Sequence, residues 1–182
     1  MKRRLVIAAG AAGSAVALTS LLSGCASQQI ADYAIEKPAL DLREYFNGTL
    51  DAYGVFTDRS GKVVKRFTVT MQCSWKGDEG VLDEDFSYSD GSRQKRVWRL
   101  TRLGDGKYAG RADDVVGVAN GQQRGNAFYW TYTMSLPLDG TVYQVQFDDW
   151  MYLIDDRVML NKAQMRKFGL RLGDVTLSFT KR

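Results

Sequence analysis

The chain has 182 residues, of which 25 are Lys or Arg, 21 are Asp or Glu, and none is His. The lack of histidine excludes Ser-His-Asp and Cys-His catalysis, histidine general bases, and histidine-ligated zinc, copper and iron sites. A chain of this length is sufficient for one domain with a hydrophobic core.

The N-terminal segment has the pattern of a secretory signal. Basic residues precede a mildly apolar run from Leu5 to Leu22, and small residues lead from there into Cys25. We predict a lipoprotein signal helix over residues 1–24, cleaved between Gly24 and Cys25, with diacylglycerol joined to the Cys25 thiol. One alternative is a single-pass anchor, because the run is near the lower length limit for a membrane-spanning helix. The other is a cleaved, soluble exported chain.

Acylation at Cys25 would set the location of the chain. Two or more acyl chains hold a protein stably on a bilayer, at about 0.8 kcal/mol per buried methylene. Ala26 stands where an Asp favours retention in the inner membrane, so we expect the periplasmic face of the outer membrane of a Gram-negative bacterium. Cleavage would also leave the mature chain nearly neutral, so the basic pI does not indicate a nucleic-acid partner.

The rest of the chain has the pattern of an antiparallel β protein. From Gly48 onward, short runs of alternating apolar and polar residues are separated by Gly, Asp and Asn turns. We predict an all-β domain over 45–182, a single antiparallel barrel of about nine or ten strands, because closure removes exposed edges. Residues 25–44 are predicted to be a tether. A short helical turn over 41–46 is predicted to overlap the end of this tether and to lead into the barrel. A barrel of this size has room for one small ligand.

The hairpin between the third and fourth predicted strands can close in two ways. A two-residue turn pairs Leu82 with Arg99, whereas a three-residue loop with a bulge pairs it with Leu100 and brings Glu84 opposite Trp98. The better apolar match favours the longer loop, because a one-residue slip moves every side chain to the other face. The residues then predicted to face inward are Leu82, Glu84, Phe86 and Tyr88 on one strand and Arg96, Trp98 and Leu100 on the other.

Three charged residues are in phase with apolar neighbours. Glu84 and Arg96 fall on the predicted inner face, and Asp149 is in phase with Val145 and Phe147. Buried charges need partners. One hypothesis is therefore a polar group inside a cavity, with Arg96 receiving a fatty-acid carboxylate or a phosphate headgroup. The alternative is a structural ion pair.

Aromatic residues follow the same inner face. Trp98, Trp130 and Tyr132 are candidates for the wall of an apolar ligand pocket, together with Phe128 and Trp75. The alternative is that this stripe is ordinary hydrophobic core.

Four acidic clusters also stand out, at 83–85, 113–114, 148–149 and 155–156. Neighbouring residues of a strand point to opposite faces, so adjacent carboxylates do not converge on one ion. Apart from Glu84 and Asp149, we interpret these carboxylates as turns or solvated faces, and we predict no metal site and no cofactor.

Several short segments together resemble a known family. They are the residues around Cys25 and the stretches 45–48, 83–86, 97–98 and 147–153. The chain is similar, from about residue 45 to its end, to proteobacterial lipoproteins classed as a domain of unknown function, and its barrel resembles that of lipocalins in general shape. The resemblance implies no activity, but such proteins are often encoded beside enzymes that modify membrane fatty acids.

The preferred functional hypothesis is a non-enzymatic lipoprotein that binds or carries a lipid or other apolar ligand, with a link to membrane-lipid modification. The alternative is a structural lipoprotein with a filled barrel that docks a protein partner. An enzyme that uses Glu84, Asp149 or tyrosine residues is the least favoured, because no catalytic motif is present.

Overall fold

The computed structural model describes residues 27–138 and 140–182. The predicted signal peptide, Gly24 and Cys25 lie outside the described residues. A 3₁₀ turn, Ile30–Tyr33, and a one-turn helix α1, Leu42–Tyr45, precede the strands. The strands are β1 Gly48–Asp58, β2 Val63–Lys76, β3 Glu79–Tyr88, β4 Arg93–Gly104, β5 Lys107–Arg111, β6 Ala119–Arg124, β7 Ala127–Leu138, β8 Thr141–Leu153, β9 Val158–Lys167 and β10 Leu170–Lys181. No helix among these residues is long and apolar enough to cross a membrane.

Each strand pairs antiparallel with the next, and β10 pairs with β1 to close the barrel. The predicted all-β antiparallel barrel is therefore confirmed. Alternation explains it: along β2, the side chains of Phe67, Val69, Met71 and Cys73 are buried, and those between them point outward. Cys73 is buried in the core, and burial raises the pKa of its thiol to about 12.

Residues 40–46, here called the cap segment, close one end of the barrel. The side chains of Leu40 and Leu42 are buried in the core, and the Trp75 indole donates a hydrogen bond to the Phe46 carbonyl at 2.8 Å. The Tyr45 hydroxyl donates to the Arg157 carbonyl at 3.0 Å. The C-terminal part of the predicted tether is thus part of the folded domain. The prediction missed this because two leucines in an aperiodic segment carry no pattern that distinguishes core from linker.

The opposite end, here called the mouth, is formed by the hairpins β1–β2, β3–β4, β7–β8 and β9–β10. The predicted pairing of the β3–β4 hairpin is wrong by two residues along β4. Leu82 pairs with Trp98, and Glu84 pairs with Arg96. The loop 89–91 begins one residue earlier than predicted, with Gly91 at a positive φ of 84°. Because the shift is two residues, the same side chains still face inward.

The barrel wall is irregular beside β4. The sequence over 115–121, an apolar run followed by Asn-Gly, is typical of a strand and a turn, but β6 begins at Ala119 and runs through the Asn-Gly pair. The preceding residues 112–118, here called the side segment, lie along the mouth half of β7, where the Ser135 amide donates to the Asp114 carbonyl at 2.8 Å. Since β5 pairs with β4 only from Arg99 onward, the side segment fills the gap between β4 and β7.

Candidate ligand chamber

An unfilled space lies in the mouth half of the barrel. This space, here called the chamber, has a volume of about 170 Å³ and is lined mainly by apolar side chains of β1–β4 and β7–β10. A second void of about 60 Å³ lies between the chamber and the cap segment. Glu84, Trp98 and Trp130 line both spaces. The aromatic residues that line the chamber are Phe56, Phe67, Phe86, Tyr88, Trp98, Trp130, Tyr132, Phe147 and Phe179.

Glycines on two short strands make room for the largest side chain of this lining. Trp130 pairs with Gly121 on β6, and a Cβ atom at Gly121 or at Gly110 on β5 would overlap the Trp130 ring. The Trp98 ring packs edge-on against Trp130 and Tyr132, with centroids 5.6 Å and 5.4 Å apart. The sequence analysis proposed these three rings as part of the wall of a ligand pocket. Their contacts with one another show that they also form part of the packed core.

Among the residues that the structure describes, Arg96 is the only basic one whose side chain lines the chamber. Its guanidinium donates to the Asp114 carboxylate of the side segment, with Nε 2.9 Å and Nη2 2.8 Å from Oδ2. Glu84 Oε2 lies 3.8 Å from Arg96 Nη1 on the opposite side. Arg96 therefore stands between two carboxylates, and it links β4 to the side segment where no backbone ladder does so.

A second polar group lies across the chamber on β7, β8 and β9. The Tyr132 hydroxyl donates to Asp149 Oδ2 at 3.2 Å, and the Asn161 amide donates to Asp149 Oδ1. The same amide also donates to the Trp150 carbonyl at 3.2 Å. Asp149 is thus buried with its hydrogen-bonding capacity partly used by neutral donors.

Burial shifts the acids of the chamber toward their neutral forms. Burial raises the pKa of Glu84 to about 7, against the opposing effect of the Arg96 charge, and the carboxylates of Asp114 and Asp149 add to the rise. Burial also raises the pKa of Asp149 to about 6, although hydrogen bonds from Asn161 and Tyr132 oppose the shift. Both carboxyl groups of the chamber therefore change their protonation state near neutral pH.

The structure thus brings together six of the residues singled out inside the predicted barrel: Glu84, Arg96, Trp98, Trp130, Tyr132 and Asp149. Of the two other aromatic candidates, Phe128 lines only the second void and Trp75 lines neither space. The structure also shows two polar residues that the sequence interpretation missed. Asn161 could have been found, because it is in phase with the apolar Met159 and Ala163. Asp114 could not have been found in this way, because it lies outside every strand. We interpreted it from the sequence as a turn or solvated residue, and its hydrogen bonds with Arg96 show that this interpretation is wrong.

Metal binding finds no support in the described part of the chain. Within residues 27–138 and 140–182, no group of three or more His, Cys, Asp or Glu side chains is arranged to hold a metal ion. The described side chains of the chamber can form hydrogen bonds and ion pairs and can gain or lose protons around an apolar space.

Comparison with known proteins gives a family and a fold. The family model described as "Protein of unknown function (DUF3833)" matches residues 19–181. No curated protein matches the chain.

The solved structures that are similar to this chain include the following two. The S-type phycobiliprotein lyase CPES from Guillardia theta has a TM-score of 0.60 at 8% identity, with 86% of this chain and 98% of that chain covered. A protein of unknown function from the DUF3598 family of Nostoc punctiforme has a TM-score of 0.56 at 14% identity, with 81% of this chain and 51% of that chain covered. The present chain thus spans about half the length of the second protein. At these identities the likeness concerns the fold alone.

Proposed function

We propose a ligand-binding function for this chain, which belongs to the family described as "Protein of unknown function (DUF3833)". The barrel binds a lipid or another apolar ligand in the chamber and does not catalyse a reaction. The observation that carries this proposal is an unfilled apolar space into which Glu84, Arg96 and Asp149 project. Buried charges contribute little to stability compared with apolar packing, so their position beside a cavity favours a binding role.

The chamber volume limits what is bound. A cavity of about 150 Å³ in another protein accommodates benzene. The chamber, at about 170 Å³, therefore holds a ring of that size or a short alkyl segment. The remainder of a longer ligand would extend through the mouth.

The polar side chains favour a hydrogen-bonding head group over an anion. Arg96 already pairs with Asp114, and Glu84 and Asp149 add further carboxyl groups around the chamber. A fatty-acid carboxylate or a phosphate would have to displace Asp114 from Arg96 before it could bind there. A hydroxyl or amide group can instead donate to Glu84 or Asp149 without this displacement.

The test is competition with an apolar fluorescent probe, N-phenyl-1-naphthylamine, whose phenyl ring has the size that the chamber holds while its naphthyl group extends through the mouth. We expect the full chain to bind this probe and 1-octanol to displace it at pH 8 at a concentration at least tenfold lower than octanoate does. Ala163→Leu should fill the chamber and weaken probe binding at least tenfold, because Ala163 lines it. Lys162→Leu adds an apolar side chain on the outer face of the same strand and is the matched control. Equal probe binding by the two variants would contradict the proposal.

A second candidate is a structural protein whose filled barrel docks a protein partner. The observation that favours it is the small chamber, since pockets for drug-sized ligands usually enclose about 300–1,000 Å³. The same experiment separates the two functions. If the probe does not bind and Ala163→Leu raises the melting temperature, the chamber is a packing defect and the structural function is supported.

We further propose that the chain is a lipoprotein, anchored by acylated Cys25 to the periplasmic face of the outer membrane. The supporting observation is the sequence pattern before Cys25, and a lipid is the ligand class that such an anchor favours. Cys25→Ala should give an uncleaved precursor that incorporates no radiolabelled palmitate. Cys73→Ala, which removes the buried cysteine, is the control and should be cleaved and labelled normally. Normal cleavage of Cys25→Ala would refute the lipoprotein proposal.

A further inference from the structure

Large apolar side chains are exposed on three hairpins of the mouth. The most exposed are Phe168 at 89% and Leu170 at 71%, both in the β9–β10 hairpin. The full set, here called the apolar rim, comprises Val63, Val64, Val142, Tyr143, Phe168, Leu170 and Leu172. Single exposed apolar residues are common on protein surfaces, but a group at one end of a domain indicates an interaction surface.

The three hairpins are neighbours around the barrel. The strand order places β7 and β8 next to β9 and β10, which in turn adjoin β1 and β2. The Arg171 guanidinium of one hairpin donates to the Arg59 carbonyl of the next at 3.2 Å. The apolar rim therefore forms one continuous arc, whereas the fourth hairpin of the mouth carries the polar loop 89–91.

Phe168 occupies a conformation that does not suit its side chain. Its φ is 51°, in the left-handed region that favours Gly or Asn and that is unfavourable for a bulky residue. Its ring is almost fully exposed, so burial within the barrel does not compensate for the backbone cost. Neither turn geometry nor core packing therefore favours a phenylalanine at this position.

Basic side chains accompany the apolar rim. The stretches 57–64 and 166–172 together contain five basic residues and one acidic residue. Lys62 directly precedes Val63, and the Lys167 ammonium lies 4.1 Å from the centroid of the Tyr143 ring and 5.3 Å from that of Phe168. Long basic side chains beside exposed apolar groups are suited to the headgroup region of an anionic bilayer.

We propose that the apolar rim docks on the surface of a bilayer that contains anionic phospholipid. The apolar side chains enter the acyl boundary while Lys62, Lys167 and their basic neighbours contact phosphate groups. A bilayer is favoured over a protein partner because basic side chains border the apolar rim, with Lys62 directly before Val63 and the Lys167 ammonium against the rings of Tyr143 and Phe168. Docking would turn the mouth, and with it the chamber, toward the membrane.

The test is photo-crosslinking of the full chain in vesicles. The photoreactive residue p-benzoylphenylalanine replaces either Phe168 or Leu170 of the rim. The matched controls are Leu103 and Ile35, which are exposed apolar residues outside the rim. In vesicles of phosphatidylethanolamine and phosphatidylglycerol, we expect phospholipid adducts at 168 and 170 in at least tenfold higher yield than at 103 and 35. Val64→Ser together with Val142→Ser should lower the yield at 168 severalfold.

Two results would overturn the inference. One is an equal lipid yield at rim and control positions, and the other is crosslinking of position 168 to a second copy of the chain or to another protein instead of lipid. Vesicles of phosphatidylcholine alone should give a lower yield at 168, because they lack the anionic headgroups. The acyl state of Cys25 is read separately, from the mass of the N-terminal peptide, so failure of the anchor proposal and failure of the rim proposal are distinguishable.

Discussion

Arg96→Met is expected to lower the free energy of unfolding at pH 8 by about 3–5 kcal/mol, the range for breaking a buried ion pair. The substitution keeps an unbranched side chain but removes the guanidinium between Glu84 and Asp114. Both carboxylates would then lie at the chamber without a cationic partner. The side segment would also lose its main attachment to β4, so the wall beside the chamber should become more dynamic.

Urea unfolding followed by tryptophan fluorescence measures this effect. Arg99→Met changes the same residue type on the outer face of the same strand and should cost little, because Arg99 is exposed. Adding Glu84→Gln and Asp114→Asn to Arg96→Met should recover part of the loss, since the unpaired charges are then absent. If Arg96→Met costs no more than Arg99→Met, the guanidinium does not stabilise the chamber wall.

The barrel should be less stable at pH 8 than at pH 5, by about 3 kcal/mol from Glu84 alone. The pKa of Glu84 rises from 4.5 to about 7 on folding, and each pKa unit corresponds to about 1.4 kcal/mol. Because the folded state binds more protons than the unfolded state in this range, the stabilisation is complete below pH 4.5 and is lost as the pH rises through 7. Asp149, with a pKa of about 6, contributes in the same direction at lower pH.

Stability measured from pH 5 to pH 8 tests this expectation. Glu84→Gln should flatten most of the decline and make the protein more stable than the unmodified chain at pH 8. The matched control is Asp85→Asn, at the next residue of β3, whose exposed side chain points outward; it should leave the slope unchanged. A free energy of unfolding that rises with pH over this range would show that folding does not raise the pKa of Glu84 and that water hydrates its carboxylate in the chamber.

Alternation of apolar and polar residues was sufficient to predict the closed antiparallel barrel and its inner face. It correctly put Glu84, Arg96 and Asp149 among the inward side chains, because the period of two along a strand is a property of the backbone. The pairing of individual residues was not predictable in the same way. Leu82 opposite Leu100 and Leu82 opposite Trp98 are both good apolar matches, and only the loop 89–91 decides between them.

Contacts between distant segments were beyond the sequence pattern. Asp114 carries no periodic signal, and its role follows from the side segment filling the gap that two short strands leave between β4 and β7. The cap segment is similar, since Leu40 and Leu42 become core residues only because the end of the barrel needs to be covered. These are tertiary effects, set by the relative lengths of strands that are remote in the chain.

What the sequence determined by itself is the lack of any histidine chemistry, most of the strands, and the inward position of Glu84, Arg96 and Asp149. The pattern ending at Cys25 remains a prediction of location, since it lies outside the described residues. Only the tertiary structure decided the size of the chamber and the continuity of the apolar rim. Volume depends on how side chains from eight strands meet, and the rim depends on which hairpins become neighbours when the barrel closes. Neither property belongs to any local segment of the chain.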